Sequence, residues 1–492
     1  MAALAYFFSI IYLLALAFIT FYAFLEFQLL FQYFKKYKAI NQFRPKPLRT
    51  WPMVTVQLPI FNEMYVVERL IDDICKLDYP LDKLEIQVLD DSTDESVDIV
   101  KSKCENYQRK GIDIKHIHRT NREGYKAGAL KIGLEMAKGE FITIFDADFL
   151  PSPDFLKKTI PYFQNEKIAV VQTRWGHINE DYSLLTMLQA FQLNVHFTIE
   201  QTGRQSGDYF LQFNGTAGTW RKVAIIDAGG WQSDTLTEDL DLSFRAQLKG
   251  WEIYYIQDIA SPAELPAEMG GLKTQQSRWM KGGAEVARKL IPVIWRSALT
   301  PIQKLHAIMV LLGSSLFLFV FALAVVSVPL TFIVAKVGIS PKFFAFGLLG
   351  TFTILIVHFI ANVTIAWKSK SLPIAILRFI GLFPLFLTFS MGLSLHNSVA
   401  VIQGWRGKKS PFVRTPKFNI RTIKDKLNHH KYLTNKISWI TWVEGILAVY
   451  FLWAVYWGIN TLQTNFIFFH LALAIGYGSI FIYTLVHLSI KE

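Results

Sequence analysis

Apolar residues in this chain are gathered at its two ends, and that division constrains the fold more than any single motif. Residues 1–33 and 307–490 are dominated by Leu, Ile, Phe, Val and Ala, while 51–290 carries the mixed charge of a water-soluble domain. Hydrophobic residues make up 52% of the 492 and charged residues 18%, more apolar mass than a soluble core absorbs, so part of it faces lipid. The first stretch runs to about Phe34 with no early Arg or Lys, too long for a signal peptide and long enough to span, and reads as an anchor. The net charge of +12 sits beside the apolar segments. Lys35, Lys36, Lys38, Arg44, Lys46 and Arg49 follow the first of them, and Lys408 to Lys436 precede a later one. That is the positive-inside pattern of membrane proteins, with a phosphate-bearing substrate adding to the demand for cations, and it argues against nucleic acid as a partner. Two cysteines, Cys75 and Cys104, form no CxxC and have no nearby His pair, which speaks against a disulfide framework or a zinc site and fits a reducing compartment.

Five apolar stretches follow the soluble block, at about 307–335, 343–367, 372–400, 438–458 and 465–489. Each is near or above the roughly 20 residues that a spanning helix needs. If all five cross, the basic loop at 404–437 falls on the opposite side of the bilayer from the basic loop at 35–49, against the positive-inside rule. The conflict disappears if one stretch does not cross. Residues 372–400 are the candidate, because they contain Pro373, Arg378, Pro384 and His396 and follow Lys368-Ser369-Lys370; they are expected to be interfacial or re-entrant. The expected organisation is a transmembrane helix over 1–34, a basic linker over 35–50, a soluble domain with interfacial helices over 51–300, membrane and interfacial helices over 301–403, a basic loop over 404–437 and membrane helices over 438–492. The soluble domain, the basic loop and the C-terminus then share the cytosolic side. Within the soluble block, 183–200 and 283–298 mix apolar and polar positions at helical spacing and suit either a core-facing or an interfacial helix.

Short apolar runs at 54–58, 86–89, 114–117 and 141–145 alternate with helical patterns such as 64–77 and 93–110. Alternating strands and helices predict an α/β domain with a mostly parallel sheet covered on both faces, and ligands bound beyond the carboxyl ends of the strands. Acidic clusters fall at those ends. Asp90-Asp91 follows IQVL, and Asp146-Ala147-Asp148 follows FITIF. Residues two apart in an extended segment point the same way, so the Asp146 and Asp148 carboxylates can approach one hard divalent ion, Mg²⁺ or Mn²⁺, that keeps positions open for phosphate. A third acidic site, Thr237-Glu238-Asp239, offers a carboxylate to take a proton from an acceptor hydroxyl, and Asp239 is the candidate base. Thr237 or Asp239 also suits the start of a helix over LDLSFRAQL, and the two roles are compatible. Gln275-Gln276-Ser277-Arg278-Trp279 adds a planar guanidinium for phosphate oxygens and a flat apolar face for a sugar ring.

The order DDS, DAD, TED, QQSRW resembles the processive family 2 glycosyltransferases, which include cellulose, chitin and hyaluronan synthases. The similarity is nearest to the cellulose-synthase-like A group, the plant β-mannan synthases, with the C group of glucan synthases next. It is carried by QLPIFNE (57–63), IQVLDDSTD (86–94), NREGYKAGAL (121–130), IFDADF (144–149), FNGTAGTWR (213–221), TEDLDLSFRAQLKGW (237–251), ELP (264–266) and QQSRW (275–279). The resemblance implies a GT-A fold inserted between transmembrane helices, an inverting reaction and a Mg²⁺ or Mn²⁺ cofactor. By matching motif, Glu63, Asp90 and Asp91 are expected at the nucleoside, Lys126 at the donor phosphates, and Asp146 and Asp148 at the sugar-nucleotide and metal. Asp239 is the general base. Glu238, Gln275, Arg278 and Trp279 are expected at the acceptor terminus and diphosphate, with Asn214, Gly215 and Thr216 in a loop beneath the acceptor's terminal sugar. Residues 412–417, FVRTPK, resemble a cytosolic gating loop of pattern FxVTxK that closes over the nucleotide. Phe412, Thr415 and Lys417 keep that pattern, and Arg414 departs from its Val.

The expected function is therefore hexosyl transfer from a nucleotide-sugar, GDP-mannose or UDP-glucose, to the growing end of a β-linked polysaccharide, with linkage β-1,4 and secretion through the protein's own helices. The alternative within the family is addition of a single sugar to a membrane lipid. A transporter would show internal repeats, and none is present in the sequence. Donor, acceptor and membrane lipids are the expected partners. The expected membrane is a bacterial inner membrane, or a Golgi membrane if the chain is eukaryotic. Asn214-Gly215-Thr216 is a formal glycosylation sequon, discounted because this topology leaves it in the cytosol.

Overall fold

The computed structural model describes residues 2–43, 45–337, 342–425, 431–432 and 437–489. Arg44 and parts of the expected basic loop, 426–430 and 433–436, lie outside the described residues. Seven strands form one sheet: β1 Val54–Ile60, β2 Leu84–Asp90, β3 Ile114–His118, β4 Phe141–Ile144, β5 Ile168–His177, β6 Gly218–Arg221 and β7 Glu252–Ala263. Their order is β3-β2-β1-β4-β6-β5-β7, parallel from β3 through β4 and again between β5 and β7, with β6 antiparallel to both of its neighbours. The four strands expected from the sequence are β1 to β4, each within a few residues of its expected limits. They read as near-continuous apolar runs because both faces are covered. Alternate residues feed opposite cores: Val56, Leu58, Ile86, Val88 and Phe141 lie in one cluster, and Leu89, Leu130, Ile142, Ile144 and Trp220 in the other.

Register decides where the acidic clusters land. Ile60 pairs with Asp90 and Gln57 with Ile144, so β1, β2 and β4 finish at one edge and deliver Asp91 and Asp146 to the same rim. The antiparallel strand β6 returns from the loop 213–217 beside β4, which brings Asn214 to Thr216 to that rim as well. The helix Glu238–Leu248 and the long helix Met269–Arg296 complete the surround. The Glu268 carboxylate starts the long helix by accepting from the backbone N–H groups of Gly270 and Gly271.

Among the described residues, six helices are long and apolar enough to cross a membrane: Ala3–Lys36, Pro301–Ile333, Leu349–Trp367, Leu372–Gly392, Trp439–Asn460 and Thr464–Leu488. The stretch 372–400 forms two helices, Leu372–Gly392 and Ser394–Trp405. The first has the length and composition of a span, and its Arg378 pairs with Glu180 and Asp181 of the water-soluble domain at 2.7 and 2.9 Å. Of the two amphipathic stretches, 283–298 is the end of Met269–Arg296. The other, 183–200, is the helix Leu184–Val195, opened by a Ser183–Thr186 capping box, followed by a π-turn at His196–Glu200.

Candidate active site

The rim encloses a cavity of about 170 Å³. Of the residues singled out in the sequence, Glu63, Asp91, Lys126, Asp146, Asp148, Asn214, Gly215, Glu238, Asp239, Gln275, Arg278, Trp279, Phe412, Thr415 and Lys417 all line it. Asp90 and Thr216 stand behind its wall. Thr216 Oγ1 accepts from the Asp146 backbone N–H at 2.8 Å, and so sets the start of the acidic turn. Asp90 accepts from the Ser92 N–H and faces His116 Nε2 at 2.8 Å and His118 Nδ1 at 3.5 Å, three side chains close enough together to hold a metal ion.

Lys126 joins three parts of the cavity wall. Its ammonium donates to Asp146 at 2.6 Å and to the Gly215 carbonyl at 3.0 Å, and it stands 4.0 Å from Glu238. Burial works against that charge, but Asp146 and Glu238 hold the Lys126 pKa above its ordinary value. The helix Glu238–Leu248 begins at Thr237, whose side chain makes no capping bond, so Asp239 lies in the first turn with Oδ1 on the Leu240 N–H at 2.9 Å. Asp239 therefore starts the helix and faces the cavity at once. Burial, and then the neighbouring Glu238 carboxylate, raise its pKa to about 7 against the pull of Lys126. Gly215 makes this approach possible. It adopts φ of +82°, and a Cβ there would meet Asp239 Oδ2 at 2.8 Å.

Where β2 ends, Asp91 is clamped by Arg119, with Nε and Nη2 at 2.6 and 2.5 Å from its two oxygens. Arg122 stacks over Phe61 at 3.2 Å. The strap 412–417 closes the cavity from above. Phe412 lies 4.7 Å from the Arg278 guanidinium and stacks on Tyr125 at 6.0 Å, Arg414 reaches Glu63 at 3.2 Å, and Lys417 reaches Asp148 at 2.7 Å. The Glu264 carboxylate accepts from the backbone N–H groups of Phe418 and Asn419, both at 2.9 Å, and anchors the strap's far end. Glu63 is pushed up to about 8 by burial, with Arg414 pulling the other way.

Asp146 and Asp148 fit a hard divalent ion. Both are oxygen donors on the cavity wall, and each already binds a positive charge, the ammonium of Lys126 and of Lys417 respectively. Residues the sequence reading did not single out are Arg119, Arg122, His177 and Glu264. Arg122 and Glu264 lie inside the family motifs NREGYKAGAL and ELP, so the sequence does carry a signal for both. His177, at the end of β5, carries no signal in the sequence; burial, then Arg174 and Lys417, lower it to about 3, so it faces the cavity as a neutral ring.

Comparison with known proteins bears on this geometry. The family model for glycosyltransferase like family 2 matches residues 52–282. Glucomannan 4-beta-mannosyltransferase 7 of Arabidopsis thaliana is 35% identical over 461 residues, covering 90% of this chain and 80% of the relative. Glucomannan 4-beta-mannosyltransferase 1 of Oryza sativa subsp. japonica is 45% identical over 264 residues, 52% of this chain and 51% of the relative. The same GT-A fold is seen in a mannosyltransferase from Pyrobaculum calidifontis solved with GDP-Man and Mn2+, at a TM-score of 0.51 and 19% identity over 81% of this chain and 100% of that one. The chain is a membrane hexosyltransferase of glycosyltransferase family 2, belonging with the glucomannan mannosyltransferases of the cellulose-synthase-like A group.

Proposed function

We propose that this enzyme transfers mannosyl units from GDP-mannose, with inversion, to the end of a growing β-1,4-linked polysaccharide on the cytosolic side of its membrane. The observation that carries the reading is the placement of Asp239: a carboxylate with a pKa of about 7, in a helix's first turn, against Gly215 and beside Lys126. A base poised near the working pH is what removal of a hydroxyl proton during transfer requires. The choice of mannose and of the 1,4 linkage rests on similarity to the two plant relatives.

In this mechanism the acceptor's hydroxyl oxygen attacks the anomeric carbon from the face opposite the diphosphate. The bond from that carbon to the phosphate oxygen breaks, the hydroxyl proton passes to Asp239, and the nucleoside diphosphate leaves. Asp146 and Asp148 would hold Mg²⁺ or Mn²⁺, which supplies Lewis-acid stabilisation of the leaving diphosphate. Lys126 and Arg278 add fixed positive charge on the same side, and Lys417 joins them as the strap closes. Asp91, held by Arg119, and Glu63, held by Arg414, bound the nucleoside end. Trp279 and the loop 214–216 support the acceptor's terminal sugar. The stretch 372–400 is read as interfacial, which keeps the strap on the same side as the domain that it covers.

The test is incubation of the protein in nanodiscs with Mn²⁺ and radiolabelled GDP-mannose or UDP-glucose in separate reactions. Long product from GDP-mannose that β-mannanase degrades supports the reading. Product from UDP-glucose that cellulase degrades moves the enzyme to glucan, and a short solvent-extractable product makes it a lipid mannosyltransferase or glucosyltransferase.

A further inference from the structure

The helix Leu184–Val195 passes through a single π-turn, His196–Glu200, before continuing as Gln201–Ser206. Such turns disturb regular hydrogen bonding and recur where a helix has to aim a functional side chain. This one aims His196 at the loop that walls the cavity beside Asp239, although His196 itself does not line the cavity. Its Nε2 lies 3.0 Å from Asn214 Nδ2, and its Nδ1 lies 3.0 Å from Glu200 Oε2. A carboxylate only accepts, so the ring proton belongs on Nδ1, and Nε2 is left to accept the Asn214 N–H. The other end of the amide is fixed separately: Oδ1 accepts from Gln201 Nε2 at 3.1 Å. Reversing the Asn214 amide would set donor against donor at Gln201 and leave Nε2 facing an oxygen with no proton between them.

The support continues outward. Glu200 accepts from Arg204 at 2.9 Å, and the buried Arg204 stands 3.9 Å from Glu26 of the first membrane helix. Burial opposes a charge on Glu200, yet Arg204 and His196 hold its carboxyl down to about 2, so it remains an acceptor. At Gly203 the helix Gln201–Ser206 is pressed so close to the first membrane helix that a Cβ would come within 2.6 Å of the Leu29 carbonyl oxygen.

We propose that His196 is a positioning residue for the acceptor: it fixes the Asn214 amide, and through it the Gly215 wall beside Asp239, while Glu200, Arg204 and Glu26 tie that wall to the first membrane helix. The proposal rests on the reading of the cavity as the meeting place of donor and acceptor. It separates two roles of one ring, and two substitutions separate them experimentally. In His196→Asn the new amide N–H takes the place of Nδ1–H toward Glu200, but nothing reaches Asn214. In His196→Gln the side-chain oxygen takes the place of Nε2 toward Asn214, and the Glu200 contact is lost.

The experiment uses full-length protein in nanodiscs and measures kcat and KM with β-1,4-linked mannooligosaccharide acceptors, alongside the Kd for GDP with Mn²⁺. His196→Asn is expected to lower acceptor kcat/KM by about 10- to 100-fold, the cost of a misplaced reacting group, with the GDP Kd unchanged. His196→Gln should stay within about threefold of the unaltered protein, and adding His196→Asn to Asn214→Ala should cost little more than Asn214→Ala alone. The opposite ranking of the two variants, equal losses in both, additive losses in the double variant, or a GDP affinity that falls with turnover would each overturn the proposal. Unaltered protein that turns over no hexose donor would instead remove the functional reading beneath it.

Discussion

The floor of the cavity presents mainly carboxylates and its lid presents cations, and the two are held by different means. The floor is built on backbone: Asp91 and Asp146 follow paired strands, Asp146 is fixed by Thr216, and Asp239 by its helix. The lid is the strap 412–417, brought from a remote part of the chain and held by side-chain contacts to Glu63, Asp148 and Glu264. Backbone pairing opens only with the domain, whereas a few ion pairs can open by themselves. The floor is therefore expected to determine whether chemistry occurs at all, and the lid to determine how efficiently bound donor is used.

The sharpest test of that division is Asp239→Asn on the floor. Removing the base should lower kcat by about a thousandfold, within the range for general-base catalysis, while GDP binds nearly as before. Lost GDP binding would make Asp239 part of the donor site and blur the comparison. The same substitution should raise thermal stability. Burial raises the folded-state pKa to about 7, above the unfolded value near 4, so the ionised Asp239 costs stability above that unfolded value, and the full cost is reached above pH 7. At pH 8 the Asn variant should gain about 1–2 kcal/mol, and no gain would mean that the ionised carboxylate is better accommodated than its burial implies. In the active protein, kcat/KM should fall about tenfold per pH unit below this pKa, because the protonated acid cannot act as base.

On the lid, Lys417→Ala is expected to lower kcat/KM for donor by about 10- to 100-fold. It leaves Asp148 buried without its ammonium partner, so Mn²⁺ should stabilise this variant against heat more than it stabilises the unaltered protein. Equal Mn²⁺ stabilisation of both would place Lys417 away from the metal's share of Asp148.

The same division explains what was legible in the sequence. The floor was, because strand ends, DxD spacing and helix starts are local patterns, and β1 to β4 followed from hydrophobic runs bounded by loops. The antiparallel β6 was not, because GTWR is four residues long and owes its place to β4 and β5 rather than to its own pattern. The strap was legible only by resemblance. Its departure at Arg414 has a meaning that no local pattern carries, since the partner, Glu63, is 351 positions away in sequence and adjacent only in the fold. The bonds between His196, Asn214 and Glu200 were hidden in the same way: 183–200 reads as one amphipathic helix, and the π-turn that redirects it has no sequence signature.

Arg414→Val restores the residue of the family's gating pattern and should have the smallest effect, with a pH dependence that identifies its cause. With the strap closed, burial puts Glu63 at about 8 while Arg414 pulls that value down, so taking away the guanidinium must leave the closed strap's Glu63 higher. Rising pH ionises the buried carboxyl, and the Arg414–Glu63 pair is then what offsets its charge in the closed strap. Below pH 8 Glu63 is mostly protonated and the guanidinium faces a neutral acid, so the variant should lose only about two- to threefold in donor kcat/KM at pH 7. At pH 9 the unaltered protein has the full ion pair and the variant has none, and the deficit should widen to about tenfold. Taking the ratio of variant to unaltered protein at each pH cancels the Asp239 limb, which both share. A ratio that stays flat from pH 7 to 9 would show that Arg414 holds the strap through its stacking on Tyr432, 4.0 Å away, and not through Glu63.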